Sequence, residues 1–224
     1  MQDIMQLPAP VRWRRALRAL ARVVANPEET DQVLVFSTYI NAGTMGDRLE
    51  NFFLDPKGKK LFDEHRTLDS RTVDLDQLAA LPAGTLGHEY AKFLRSRGFT
   101  PEVFDAPPED IADPRAQYVV QRIRQTHDLW HVITGFDTDP AGEIALQAFT
   151  FAQTRAPSTA ILAIVGTLRG FGHTRALPSS VARAYRAGAR AEKLATFPWE
   201  DHWATPLVEL RALLGVEPFT RAAA

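Results

Sequence analysis

Signals that begin and end α-helices recur along nearly the whole 224-residue chain, and they constrain its fold more than any other feature. Asp55, Asp113 and Asp139 are each followed directly by proline, a pattern typical of an N-cap and the first helical residue. Gly98 and Gly135 follow apolar residues at helical spacing, and they predict helix ends. The alternation of apolar and polar residues that indicates β-strands is nearly absent. The sequence therefore predicts an all-α protein.

The predicted helices span the chain, and the stretch 99–114, which holds four prolines, is predicted to be a crossing loop rather than a domain boundary. Hydrophobic residues make up 45% of the chain and charged residues 24%, as expected for one globular domain. We expect a single domain, 1–224, with roughly seven to nine helices and with residues 1–30 as an optional peripheral arm. The predicted helices are 9–25, 30–53, 56–66, 86–97, 114–134, one from 140 onward, 158–170, 179–194 and 199–214, with a capped turn at 74–81.

Composition excludes several classes of site and partner. The chain has no cysteine, which excludes disulfides, thiol nucleophiles and cysteine-type zinc sites, so any metal must be held by His, Asp or Glu. The net charge of −1 argues against a dedicated nucleic-acid-binding protein,. No apolar stretch approaches the ~20 residues that span a bilayer.

The segment 11–24 is rich in arginine, with Val11, Trp13 and Leu17 at roughly helical spacing. Three interpretations stay open. The first, which we favour, is a surface helix with solvated arginines. The second is a helix lying on an anionic membrane. The third, ranked lowest, is an organelle transit peptide.

One segment carries the candidate chemistry. His127, Asp128 and His131 lie within one predicted helix, and Glu143 follows in the first turn of the next. At ~100° per residue, the two histidines lie one turn apart and ~40° from each other, with Asp128 ~60° to the other side of His131. If the two helices form an antiparallel pair, Glu143 lies beside the side chains of His127, Asp128 and His131.

Two neutral imidazoles and two carboxylates balance the charge of a divalent cation. This set of donors suits zinc, manganese or ferrous iron better than calcium. The pattern is not that of a zincin helix, because glutamate does not follow the first histidine. Two histidines at this spacing also arise by chance, so the geometry alone leaves a metal site and an ordinary helical surface equally open.

The motif HDxxH followed by eleven residues and glutamate resembles the signature of the Coq-four family of ubiquinone (coenzyme Q) biosynthesis. Residues 81–87 read LPAGTLG and are followed by Glu89 and Tyr90, which resembles another stretch of that family. The resemblance extends over roughly residues 68–216.

The resemblance implies an all-helical fold with a divalent metal, usually zinc, with iron and manganese as alternatives. It assigns the metal to His127, Asp128, His131 and Glu143. It also implies peripheral association with a membrane, here the cytoplasmic side of the inner membrane, and contact with polyprenyl-quinone precursor lipids and other quinone-biosynthesis enzymes. Homodimer formation is left open.

The family resemblance links the chain to loss of the ring carboxylate from a polyprenyl hydroxybenzoate precursor. A cation with an open coordination position would act there as a Lewis acid. Arg124 lies one turn before Asp128 and could bind the substrate carboxylate or pair with an acidic side chain. The alternative function is a non-catalytic scaffold that binds a polyprenyl lipid and organises the pathway's enzymes. An unrelated metallohydrolase is a weaker third hypothesis.

Overall fold

Helices account for nearly all the regular structure of the chain. A computed structural model describes residues 3–26, 29–108, 110–170, 172 and 175–219. Within these residues it contains eleven α-helices, short 3-10 turns and one isolated β-bridge, but no strand. The prediction of a single all-α domain is therefore confirmed. The helices are α1 Ala9–Ala25, α2 Thr30–Asn41, α3 Met45–Phe53, α4 Pro56–Asp63, α5 Leu75–Ala79, α6 Leu86–Arg97, α7 Pro114–Thr134, α8 Pro140–Thr154, α9 Pro157–Gly170, α10 Leu177–Arg190 and α11 Leu207–Leu214.

The predicted helix boundaries follow from local capping. The side chains of Asp55, Asp113 and Asp139 each accept a hydrogen bond from a backbone N–H in the first turn of the following helix, which satisfies a donor that the helix itself leaves free. Gly98 and Gly135 adopt left-handed φ angles of 66° and 74° at the helix ends, where a side chain would be strained. These five boundaries are confirmed.

The expected number of seven to nine helices is too low for the described part of the chain. The predicted helix 30–53 is split by a 3-10 turn, Ala42–Thr44, so that α3 turns away from α2 and packs against α7. The predicted helix 199–214 is also interrupted. There the carbonyl groups of Trp203 and Thr205 accept hydrogen bonds from the first turn of α6, and these long-range bonds replace helical ones. Among the described residues of the predicted loop 99–114, the helical elements are the 3-10 turn Pro101–Phe104 and Pro114, which begins α7.

The largest core lies around the C-terminal half of α7. Leu129, Trp130 and Ile133 are fully buried there with Leu146 and Phe149 of α8. α8 packs mainly along α10 and α9, whereas α7 packs against α6 and α3. The antiparallel pairing of α7 with α8 therefore stays a prediction, although the two helices share this core.

The N-terminal helices form a second, smaller packing unit. α1 packs along α2, and α2 packs against α9. Ala16 and Ala19 of α1 are buried against Phe36 and Ile40 of α2, because small side chains allow the helices a close approach. No helix in the described ranges combines the length and the apolar character required to cross a membrane. The assignment of residues 1–30 to a peripheral arm stays a prediction.

Candidate metal centre

A tight turn between α7 and α8 brings the candidate ligands together. Gly135 ends α7 in the left-handed conformation, and Asp139 caps α8 through a 2.7 Å hydrogen bond from the N–H of Gly142. A side chain at Gly142 would place its Cβ 2.1 Å from the carbonyl oxygen of Asp137. Only glycine therefore allows this close approach, and the turn returns Glu143 to the last turns of α7.

Three of the four predicted ligands converge. Glu143 Oε1 lies 3.1 Å from His131 Nε2, and Glu143 Oε2 lies 4.0 Å from His127 Nε2. One donor atom from each of the three residues lies within 4.8 Å of the others, and the described residues hold no other such group of His, Cys, Asp and Glu. We refer to His127, His131 and Glu143 as the triad. This separation allows one ion to be reached by all three.

His131 is the most strongly constrained member of the triad. Its side chain is fully buried, and its ring stacks on Phe93 with 5.6 Å between centroids. Its Nδ1 lies 3.0 Å from the carbonyl oxygen of Phe136. Because a carbonyl only accepts, Nδ1 carries the hydrogen, and the lone pair of the neutral ring lies on Nε2. That buried Nε2 faces Glu143 Oε1 at 3.1 Å but forms no hydrogen bond among the described residues. Two acceptor atoms at this separation fit a metal ligand held in the correct tautomer.

His127 and Glu143 form the open side of the triad. Their side chains remain 33% and 38% exposed, in contrast to the buried His131. Burial lowers the pKa of His127, but the hydrogen bond to Asp128 and the negative charges of Glu143 and Asp128 outweigh it and raise the pKa above its ordinary value. The triad therefore lies in a region of negative charge and is partly exposed to solvent at His127 and Glu143.

Asp128 is placed beside the triad rather than within it. Its Oδ1 lies 3.5 Å from Nδ1 of His127, the ring nitrogen that faces away from Glu143. Its side chain is largely buried. Burial and the charge of Asp128 together raise the pKa of the buried Tyr90. The ligand role predicted for Asp128 stays a prediction.

Arg124 lies one turn before this site on α7. Its Nη2 donates to the hydroxyl of Thr38 over 3.3 Å, and burial lowers its pKa. No acidic side chain of the described ranges forms an ion pair with it. The sequence left two roles open for Arg124. The role in which it pairs with an acidic side chain of this chain is not seen among the described residues.

Several supporting groups were not identified from the sequence. Arg97 of α6 fixes the turn before α8 through bonds of 2.5 Å to Asp137 and 3.0 Å to Thr138. Phe93 and the Phe136 carbonyl orient His131. Arg97 and Phe93 lie about forty residues from their partners in the chain, so no local spacing pattern could have indicated them.

The family model of the coenzyme Q (ubiquinone) biosynthesis protein Coq4 matches residues 5–220 of the chain. The chain belongs to the Coq4 family. This confirms the family predicted from the HDxxH and glutamate motif, and it gives the protein a role in ubiquinone biosynthesis.

Curated relatives and a solved structure agree with this membership. One relative is the zebrafish protein named ubiquinone biosynthesis protein COQ4 homolog, mitochondrial. It is 34% identical to this chain, and the match covers 91% of this chain and 77% of the zebrafish protein. The COQ4 protein of Pyricularia oryzae, also named mitochondrial, is 32% identical over 86% of this chain, which spans 64% of that protein. A crystal structure of a candidate ubiquinone biosynthesis protein from Nostoc punctiforme superposes with a TM-score of 0.75 at 31% identity, covering 91% of this chain and 98% of the other.

Proposed function

We propose that this Coq4-family protein is a metal-dependent enzyme that removes the ring carboxylate of a polyprenyl hydroxybenzoate precursor, a carboxy-lyase reaction in ubiquinone biosynthesis. The observation that carries the proposal is the buried Nε2 of His131. It forms no hydrogen bond among the described residues, yet it lies 3.1 Å from Glu143 Oε1, and His127 and Glu143 beside it are partly exposed. A structural metal site is usually closed to solvent, whereas the side chains of His127 and Glu143 are partly exposed.

The triad would hold a divalent cation, with Asp128 as the fourth ligand in the proposed set. The carboxylates of Asp128 and Glu143 would balance the two positive charges. When bound, the cation supplies a Lewis acid that stabilises charge developing on the substrate's oxygen atoms. The chain's own contribution is orientation: the Phe136 carbonyl keeps the proton of His131 on Nδ1, and Phe93 fixes the plane of the ring.

Zinc is the proposed metal, with iron or manganese as alternatives, since nitrogen and oxygen donors suit all three. Zinc does not change its oxidation state. If hydroxylation at the vacated carbon is coupled to the loss of the carboxylate, dioxygen must also react as the oxidant. Either the ring then supplies the electrons that reduce dioxygen, or the native metal is redox-active.

Arg124 is proposed to bind the substrate carboxylate. Its guanidinium is largely buried, has the Thr38 hydroxyl as its one hydrogen-bond partner in the described structure, and lies on the same helix as the triad. A guanidinium binds a carboxylate through two parallel hydrogen bonds. This contact would orient the ring and keep its carboxylate away from solvent.

We propose that the protein lies on the cytoplasmic surface of the inner membrane. There it would contact the polyprenyl precursor and the other enzymes of the pathway. Supporting this, Trp13 and Leu17 of α1 and Ile164 and Leu168 of α9 are each more than half exposed. Exposed arginines lie on α1 beside Trp13 and Leu17, which is typical of helices that contact anionic lipid. Homodimer formation stays an open expectation.

The same exposed apolar side chains favour the second candidate function, a non-catalytic scaffold that binds a polyprenyl lipid and docks the pathway enzymes. Exposed apolar clusters are typical of surfaces that contact membranes or other proteins. In that case the triad would hold a structural metal or none.

One experiment separates the two functions. A strain lacking the gene is complemented with the wild-type protein, with Glu143→Gln or, as a control, with Glu209→Gln at an exposed position of α11, and its quinone precursors are identified by mass spectrometry. Glu143→Gln should accumulate a precursor that retains the ring carboxylate, while Glu209→Gln should restore ubiquinone. Full restoration by Glu143→Gln would favour the scaffold. Elemental analysis of purified Glu143→Gln should also give less bound metal per chain.

A further inference from the structure

Arg48 of α3 is buried without a partner among the described residues. It is 8% exposed, and its Nε and Nη1 are fully buried and have no hydrogen-bond acceptor. In the ranges that the structure describes, no carboxylate forms an ion pair with it. Burial lowers the pKa of Arg48 to about 10, so the side chain still carries its positive charge at neutral pH.

Arg122, which is buried, and Arg211, which is partly buried, both have acceptors within the fold, although Nε of Arg122 has none among the described residues. Arg122 donates to both carboxylate oxygens of Glu200 and to the carbonyl of Phe197. Arg211, whose pKa is likewise lowered by burial, donates to the carbonyl groups of Val132 and Ile133 at the end of α7. An unpaired buried charge is costly, and the fold avoids that cost at these two positions. Arg48 is therefore a departure that needs a physical explanation.

The location of Arg48 is set by its neighbours on the same face of α3. Met45, three residues earlier, shares a buried cluster with Ala116 of α7. Phe52, four residues later, contacts the ring of Tyr118 edge-on, with 6.1 Å between centroids. Residues at these spacings share a helix face, so the face of α3 that carries Arg48 is the one packed against α7.

We propose that Arg48 forms a binding site for an oxyanion, a phosphate or a carboxylate, at the packing face between α3 and α7 and separate from the triad. A guanidinium donates charge-assisted hydrogen bonds to these anions, and Nε and Nη1 have no acceptor among the described residues. The anion would come either from a small soluble molecule or from a lipid headgroup. It would neutralise a charge that the described chain leaves unmatched.

The test is thermal unfolding of the purified full-length protein with inorganic phosphate as the probe. Phosphate should raise the midpoint of the wild type saturably, since a ligand present at 100 times its Kd shifts the folding equilibrium about a hundredfold. Arg48→Met should lose this response, and it should unfold at a higher temperature than the wild type in phosphate-free buffer because the unpaired charge is gone. The control Arg186→Met, at an exposed position of α10, should keep the full response.

A second arm distinguishes the two sources of the anion. Flotation with phosphatidylcholine vesicles, with and without phosphatidate, measures whether a headgroup occupies the site. If phosphatidate increases flotation of the wild type but not of Arg48→Met, and free phosphate has no effect on unfolding, the site binds a lipid headgroup. If free phosphate raises the unfolding midpoint, the site binds a soluble anion. If neither probe distinguishes Arg48→Met from the wild type, the proposal is wrong.

Two further variants keep the test decisive. If Arg48→Met does not fold, Arg48→Lys retains the charge but loses the planar fork, and it should weaken phosphate binding at least tenfold; an unchanged Kd would reject the site. Glu143→Gln should respond to phosphate as the wild type does. If instead the response disappears in Glu143→Gln and persists in Arg48→Met, the anion binds at the triad and the inference fails, whatever the outcome for decarboxylation.

Discussion

Arg122 and Arg124 lie two residues apart on α7, yet they have opposite surroundings. Arg122 is fully buried and forms a paired bond with Glu200, which lies 78 residues further along the chain. Arg124 is also largely buried, but its hydrogen-bond partner is the neutral hydroxyl of Thr38. Residues two apart on a helix face different directions, so Arg122 lies in the core while Arg124 faces α2. The difference indicates that a buried charge with its own partner stabilises the fold, whereas one without a carboxylate is available for a ligand.

The largest effect is expected from removing the carboxylate that pairs with Arg122. Glu200→Ala leaves the guanidinium of Arg122 buried without its carboxylate, and this should lower the free energy of unfolding by about 3–5 kcal/mol. Urea denaturation followed by circular dichroism measures the loss. A change below about 1 kcal/mol would contradict the structural role of the pair.

A substitution at Arg124 should affect turnover rather than stability. Arg124→Met keeps the apolar stem and removes a charge that has no acidic partner, so the free energy of unfolding should change little. Loss of a charged hydrogen bond to substrate, about 1.5–3 kcal/mol, should reduce kcat/KM by roughly ten- to a hundredfold. Turnover assays on the carboxylated precursor measure this, and a variant with full turnover would remove Arg124 from the proposed site.

A smaller effect tests how the turn positions Glu143. Asp139→Ala removes the N-cap of α8 and should cost about 1 kcal/mol of stability. It should also weaken metal binding, because Glu143 lies in the turn that this cap fixes. Asp113→Ala is the matched control, since it removes the cap of α7 at a similar cost but far from the triad. Equal metal affinity in the two variants, measured by calorimetry, would argue against a positioning role for Asp139.

The smallest effect concerns pH and His127. The pKa of His127 is raised in the folded, metal-free protein. Protonated His127 therefore stabilises the folded protein, and this stabilisation is fully present below the pKa that the group has in the unfolded chain. It is lost as the pH rises through the higher pKa of the folded protein. Metal binding needs the neutral ring and should strengthen over the same pH window. His127→Gln should flatten both profiles. A metal-free unfolding curve that keeps its pH dependence in His127→Gln would assign the effect to another group.

The sequence by itself determined what depends on near neighbours in the chain. The caps at Asp113 and Asp139 and the left-handed Gly135 act over a few residues, and they were therefore predicted correctly. The spacing of His127 and His131 on one helix, with Glu143 just beyond a short turn, is equally local. These features predicted the all-α class, the family and a set of four candidate ligands, of which the tertiary structure brings three together as the triad.

Only the tertiary structure decided features whose partners are distant in the chain. The pairing of Arg122 with Glu200, the stacking of Phe93 on His131 and the isolation of Arg48 all depend on which helices meet, and helix periodicity does not encode that. The break between α2 and α3 has the same origin, because α3 turns to pack on α7. Local hydrogen bonds set the ends of the capped helices such as α7 and α8, but burial against distant segments decides which charges acquire partners.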